Sequence, residues 1–255
     1  MRALRLAPLL VIVGLSLVLA ACGDGKPASE TMNQLKGVQT LHSYRWTTEL
    51  RADSSLFDQS QAPEALRVGP FVLKAHVNGE RIAPDREHAK TIVEPVTVEP
   101  REAITVGTQH WNRIGNGPWR VGVEAFPAAR AYFGGSVTLS ARALLEPAET
   151  STIAQLRTEL TTMPYREETV ATGPARRYTL RPDQVALVVA DPSINPFAVL
   201  KTLPAVRIDL WIDQERLVLV GLRASADSPT LSDAFVLEIR VTEIEPTGVS
   251  IEVPR

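Results

Sequence analysis

Cysteine is nearly absent from this sequence: Cys22 is the only one in 255 residues. A disulfide framework and a cysteine-rich zinc site both need several thiols, so both are excluded. Charge of one sign is equally lacking. The 27 basic and 29 acidic side chains leave a formal charge of −2, and they are scattered. Without a basic patch the chain has no electrostatic footprint for nucleic acid, and no nucleic-acid partner is expected. A Lys/Arg-rich amphipathic helix of the kind that lies on membranes is also missing.

Motifs that carry catalysis are missing too. There is no Gly-x-Ser-x-Gly elbow, no phosphate loop and no dinucleotide fingerprint. The four histidines, His42, His76, His88 and His110, do not pair at metal-ligand spacing. Gly115-Asn116-Gly117 has the makings of an anion nest, but a plain turn explains it better. Asp213 and Glu215 resemble part of a calcium loop that lacks its other ligands, and a hairpin turn explains them. The expectation is therefore a protein that is not an enzyme, with no cofactor and no metal. A dispersed Asp/His/Ser triad is spatial rather than sequential, and it stays open at this point.

The N-terminus is where the sequence speaks most clearly. Arg2 and Arg5 precede fifteen mostly apolar residues, Ala7 to Ala21. That stretch is shorter than the about 20 residues a membrane-spanning helix needs, and small residues close it. Leu19-Ala20-Ala21-Cys22 follows, and the composition then turns polar. This segment resembles the signal peptide and lipobox of a bacterial lipoprotein. The resemblance implies cleavage before Cys22, acylation of its thiol, and an extracytoplasmic protein held to the membrane by its lipid. Two or more acyl chains anchor stably where one does not. The expected organisation is a signal peptide over residues 1–21, a lipidated cysteine and tether over 22–31, and one domain over 32–255. Loss of Arg2 and Arg5 leaves 25 basic against 29 acidic side chains, formally −4.

Along the domain, strands dominate. Tyr44 to Leu50 is rich in β-favouring residues. Leu66 to Val77 reads as a second strand, with Asn78-Gly79 as its turn. Thr91 to Val98, Glu102 to Trp111 and Trp119 to Val123 follow, the last two separated by the loop 112–118. Pro127 to Tyr132 reads as a short helix. Pro147 opens a second helix, with Ile153, Leu156 and Leu160 on one face, and Pro164 ends it. Thr172-Gly173-Pro174 joins a hairpin. Asp183 reads as the N-cap of a third helix that runs to Ala190. Val206, Ile208, Leu210 and Ile212 then alternate with polar residues at period two. Leu217 to Leu222, Phe235 to Val241 and Val249 to Val253 complete the strands. Hairpins in series with helices grouped in the middle predict an antiparallel sheet in an α+β fold.

Several pieces, in this order, resemble the LolA/LolB and LppX/LprG group of envelope lipoproteins. They are Tyr44 in an early strand, Trp111 and Trp119 about a glycine turn, and the Val170–Tyr178 hairpin with Gly173 and Tyr178. Val206 to Leu222, with its Trp-Ile-Asp, and the closing Ile251-Glu252-Val253-Pro254 complete the set. The resemblance implies a strongly curved antiparallel sheet, an unclosed β-barrel, with helices covering the concave face. It further implies an apolar cavity that binds lipid or lipoprotein acyl chains and carries them across the envelope. Trp46, Trp111, Trp119, Phe126, Tyr132, Ile153, Leu156 and Leu210 are the expected cavity residues. The alternative is a structural or sensory envelope lipoprotein whose apolar residues fill a solid core and whose partner is another protein.

Overall fold

A computed structural model describes residues 26–27, 40–56, 71–95, 99–122, 139–146, 149–191 and 198–254. The fold is mixed α+β, built on one antiparallel sheet. Its strands, in chain order, are β1 (Lys26–Pro27), β2 (Ser43–Asp53), β3 (Val72–Ile82), β4 (Arg86–Glu94), β5 (Arg101–Val106), β6 (Gln109–Ile114), β7 (Arg120–Val121), β8 (Pro164–Val170), β9 (Gly173–Thr179), β10 (Arg207–Asp213), β11 (Leu219–Ala226) and β12 (Phe235–Ile244). Their spatial order is β1-β8-β9-β10-β11-β12-β2-β3-β4-β5-β6-β7. Both ends of that order are edges, so the sheet is not closed into a barrel. The seam is β12 against β2, where Val241 faces Trp46 and Leu237 faces Leu50.

Alternation of side chains gives the sheet two different faces. In β2, Tyr44, Trp46, Thr48, Leu50 and Ala52 are buried, while Glu49 and Arg51 are exposed. Their cross-strand partners in β3 are Arg81, Gly79, Val77, Ala75 and Leu73. In β12 the matching residues are Phe235, Leu237, Ile239 and Val241. Together these define the core face. Three helices lie with it: α1 (Ala141–Leu145), α2 (Ser151–Leu160) and α3 (Pro182–Ala190). Helix α1 packs on β11 and β12, α3 packs on β10, and α2 packs on α3. Buried residues of the sheet and the helices form one apolar cluster, to which α1 contributes Ala141, Leu144 and Leu145.

Local chemistry sets the helix starts. Thr150 caps α2, its hydroxyl accepting the Ile153 amide at 3.2 Å. Helix α3 starts one step before the expected cap: Arg181 is the N-cap and Pro182 opens the helix, as its fixed φ favours. Gln184 returns to the Arg181 amide at 2.9 Å.

Three readings of the strands need correction. Asn78-Gly79 is not a turn but lies inside β3, which continues to Ile82. The stretch Glu102–Trp111 is not one strand; it folds back at Gly107, whose φ of 62° suits a glycine, to make the β5–β6 hairpin. Residues 249–253 form no ladder, although Ile251 is buried and its carbonyl accepts from Arg86 at 3.0 Å. Lys26 and Pro27, within the expected tether, pair as edge strand β1 with Tyr165 and Pro164 of β8. The helix expected over 127–132 lies outside the described residues.

Candidate functional site

The core face is apolar along most of its length and polar at one end. On β3, Leu73, Ala75 and Val77 share the core parity, and Gly79 and Arg81 continue it. Arg81 is 3 % exposed and Glu146, just past α1, is 8 % exposed. The guanidinium grips that carboxylate with two bonds, Nε to Oε1 and Nη2 to Oε2, each 2.8 Å. Nη2 also donates to the Pro84 carbonyl at 2.9 Å. Tyr44, across the ladder from Arg81, donates its hydroxyl to Glu146 Oε1 at 2.7 Å.

The electrostatics follow from this burial. Desolvation, with the neighbouring Glu146 charge, pushes the Tyr44 hydroxyl pKa up, so it stays a donor. Desolvation opposes the Arg81 charge, but the bond to Glu146 and its charge outweigh it, and the arginine pKa rises. Glu87 lies directly across from Arg81 on β4. Burial pushes its carboxyl up to about 7, against the pull of Arg81 and of the Arg142 backbone N–H that donates to it. The residue as a whole is half-buried, yet its Oε2 has no solvent access and no partner.

These polar groups tie the α1 segment to the sheet at three points. Thr48 donates to the Leu139 carbonyl at 3.1 Å. Glu87 accepts from Arg142 in the helix, and Arg81 with Tyr44 holds Glu146 beyond it. A helix of five residues has no stability of its own, so these ties and the buried Leu144 and Leu145 place it.

Trp46 is the other feature of this end. It is 1 % exposed, and its indole lies across Gly79 of the next strand. A Cβ on Gly79 would sit 2.2 Å from Trp46 Cε2 and 2.5 Å from Nε1. The glycine is there because the ring occupies its side-chain position. Trp46 Nε1 is buried and has no hydrogen-bond partner.

Of the residues expected in a cavity, Trp46 and Leu156 belong to the one core cluster, and the partly buried Leu210 packs against it. Ile153 is half-buried on α2. Trp111 is buried but belongs to the opposite face of the sheet. Through β4, β5 and β6, its ladder partners Ile104 and His88 have the parity opposite to Ala89 and Ala103, which share the face of Gly79. Trp119 is half-buried beneath the Arg113 guanidinium, 4.6 Å from its ring centre. Cys22, Phe126 and Tyr132 lie outside the described residues. Arg81, Glu87 and Glu146 were not anticipated. Extending β3 through Asn78-Gly79 would have found Arg81, because a charge then falls on an otherwise apolar parity.

The tryptophan of the Trp-Ile-Asp segment has a separate, outward role. Trp211 faces Gly221 and Arg177 across its ladders. Arg240 lies over the ring at 3.2 Å and Glu168 accepts the indole N–H at 2.8 Å. Asp213 closes the following turn by accepting the Glu215 and Arg216 amides at 3.0 and 2.7 Å. The calcium-like fragment is thus an Asx turn. Among the described residues, no group of three or more His, Cys, Asp or Glu is placed to hold a metal. No helix among them is long and apolar enough to cross a membrane.

No protein-family model matches the chain, and no curated protein matches it. Among solved structures, a LolA superfamily protein from Nitrosomonas europaea matches at 11 % identity. The match covers 87 % of this chain and 92 % of that one, with a TM-score of 0.27. A TM-score this low leaves the function to be read from this chain's own residues.

Proposed function

We propose that this chain is the folded module of an envelope lipoprotein that binds acyl chains by sequestration, with no bond chemistry. In this reading the sheet is a strongly curved, unclosed barrel of LolA-like form. Helices α1 to α3 cover its concave face and move aside to admit a chain. The observation that carries the reading is the core face itself: one apolar cluster shared between a wide sheet and three short helices. Each methylene withdrawn from water contributes about 0.8 kcal/mol. A sixteen-carbon chain gains roughly 10 kcal/mol before ordering costs are subtracted. Acylation at Cys22 would hold the module at the extracytoplasmic membrane surface, within reach of such chains.

The test is native mass spectrometry of gently purified protein, followed by lipid extraction and uptake of a labelled acyl chain. Co-purified lipid or saturable uptake is the expected result. Neither would be seen if the second reading holds, a structural module with a protein partner. That reading is favoured by the close packing of Leu50, Leu73, Leu237 and Ile239, all 2 % exposed or less. Labelling of wild type but not of Cys22→Ser by an alkyl-palmitate analogue tests the anchor separately.

A further inference from the structure

Two buried polar atoms at the polar end of the core face have no partner: the Trp46 indole Nε1 and the Glu87 Oε2. A buried donor or acceptor left unmade costs about 1–3 kcal/mol, so native proteins keep few of them, and those kept have reasons. Here one is an obligate donor, because an indole N–H accepts nothing. The other is a carboxyl oxygen, which accepts when Glu87 is ionised. Both belong to one face. Trp46 reaches over Gly79 on β3, and Glu87 is the diagonal neighbour of Gly79 on β4, since Gly79 pairs with Ala89 and Arg81 pairs with Glu87. Diagonal neighbours are about 7–8 Å apart.

We propose that Trp46 Nε1 and Glu87 Oε2 form the head-group site of the acyl ligand, selecting a carbonyl that carries an adjacent X–H donor. This rests on the acyl-binding reading above and specifies it. The indole N–H donates to the ligand carbonyl, and the ligand's N–H or O–H donates to Glu87. An amide presents its C=O and its N–H on opposite sides, so one group can accept from the indole and donate to the carboxylate. The hydrocarbon tail then runs along Val77, Leu50 and Leu237, away from the polar end. Amide-linked acyl chains carry this chemistry at any pH, and a free fatty acid carries it when one proton is shared between its carboxyl and that of Glu87. An ester offers only the acceptor, and an alkane offers neither.

The experiment measures displacement of a fluorescent acyl probe from the full chain by four sixteen-carbon ligands. They are N-methylhexadecanamide, hexadecanoic acid, methyl hexadecanoate and hexadecane. The amide or the acid is expected to bind more tightly than the ester, and the ester more tightly than the alkane. The rank of amide against acid identifies the source. Trp46→Phe should weaken the amide about tenfold more than it weakens hexadecane, the loss of one buried hydrogen bond. Glu87→Leu should bring the amide down to the ester, whereas Glu87→Gln, which keeps an acceptor oxygen, should retain the preference. Equal binding of all four ligands, or an equal effect of Trp46→Phe and of Glu87→Leu on amide and alkane, overturns the head-group site while acyl binding stands. Failure of the fluorescent probe and every ligand to bind overturns both.

Discussion

At the scale of single residues, the polar end of the core face is desolvated, and burial is the largest influence on Glu87. Arg81 is bound to Glu146, and Glu87 faces the same guanidinium without a bond of its own to it. Glu87 also feels the Glu146 carboxylate, which raises its pKa, and the backbone N–H and guanidinium of Arg142, which lower it, with Tyr44 on β2 and Thr105 across β5 as neutral neighbours. Ionising Glu87 in the folded protein is therefore costly, and its pKa stands near 7 against an ordinary 4.5. The sign follows by linkage. Below about 4.5 the group is protonated whether the chain is folded or not, and it costs nothing. Between 4.5 and 7 the unfolded chain releases the proton first, so stability falls as pH rises. Above 7 the loss is complete, on the order of 3 kcal/mol for a shift of this size. Glu87→Gln should remove that slope. Melting temperatures of the two proteins measured from pH 4 to pH 8 should diverge, the variant gaining as pH rises. Parallel curves would mean that Glu87 ionises freely in the fold.

At the scale of elements, β3 shows why a strong local signal lost to a tertiary one. Asn-Gly is the best short turn signal in the chain, yet β3 runs straight through it. Gly79 serves the Trp46 ring, not a turn. Gly79→Ala therefore forces the indole off its seat. Overpacking of this kind typically costs about 1–3 kcal/mol, or a fall of roughly 2–10 °C in melting temperature for a domain of this size. A change of under a degree would show that the ring has room to shift. The period of two was legible in β12, where one face is buried and the other is half-buried, and in β10 from its alternating residue types, although Trp211 and Asp213 on its polar parity are buried too. The α2 and α3 helices and the β8–β9 hairpin were legible from proline, glycine and apolar spacing. Helix α1 was not read, although Ala141, Leu144 and Leu145 have helical spacing, because five residues are too few for a period to stand out. Trp111 looks like a core residue in the sequence, whereas the period of two already sets Trp211 opposite Leu210 and Ile212. Register shows that Trp111 lies on the outer face, the face on which Arg240 covers the Trp211 ring.

At the scale of the whole molecule, the sheet is uneven in strength. Strands β2, β3 and β12 are ten or eleven residues long and paired nearly end to end, with apolar side chains from both sides of the seam. Strand β5 is half-buried throughout, and β7 is two exposed residues, with Val121 82 % exposed. Opening free energies track buried apolar contact, so they should fall from the seam outward. Native-state hydrogen exchange should show β2, β3 and β12 amides opening only with global unfolding. The β6 and β7 amides should open locally, at lower free energy, with α1 between the two groups because its hold is three polar ties and two leucines. Uniform protection across the sheet, or an α1 as slow as β2, would contradict this ordering. An α1 in the middle of the range is what acyl binding requires. A lid tied to the seam as firmly as the strands would never uncover Leu144 and Leu145. One held by Glu87, Arg81 and Thr48 can be released while the seam keeps the rest of the fold intact.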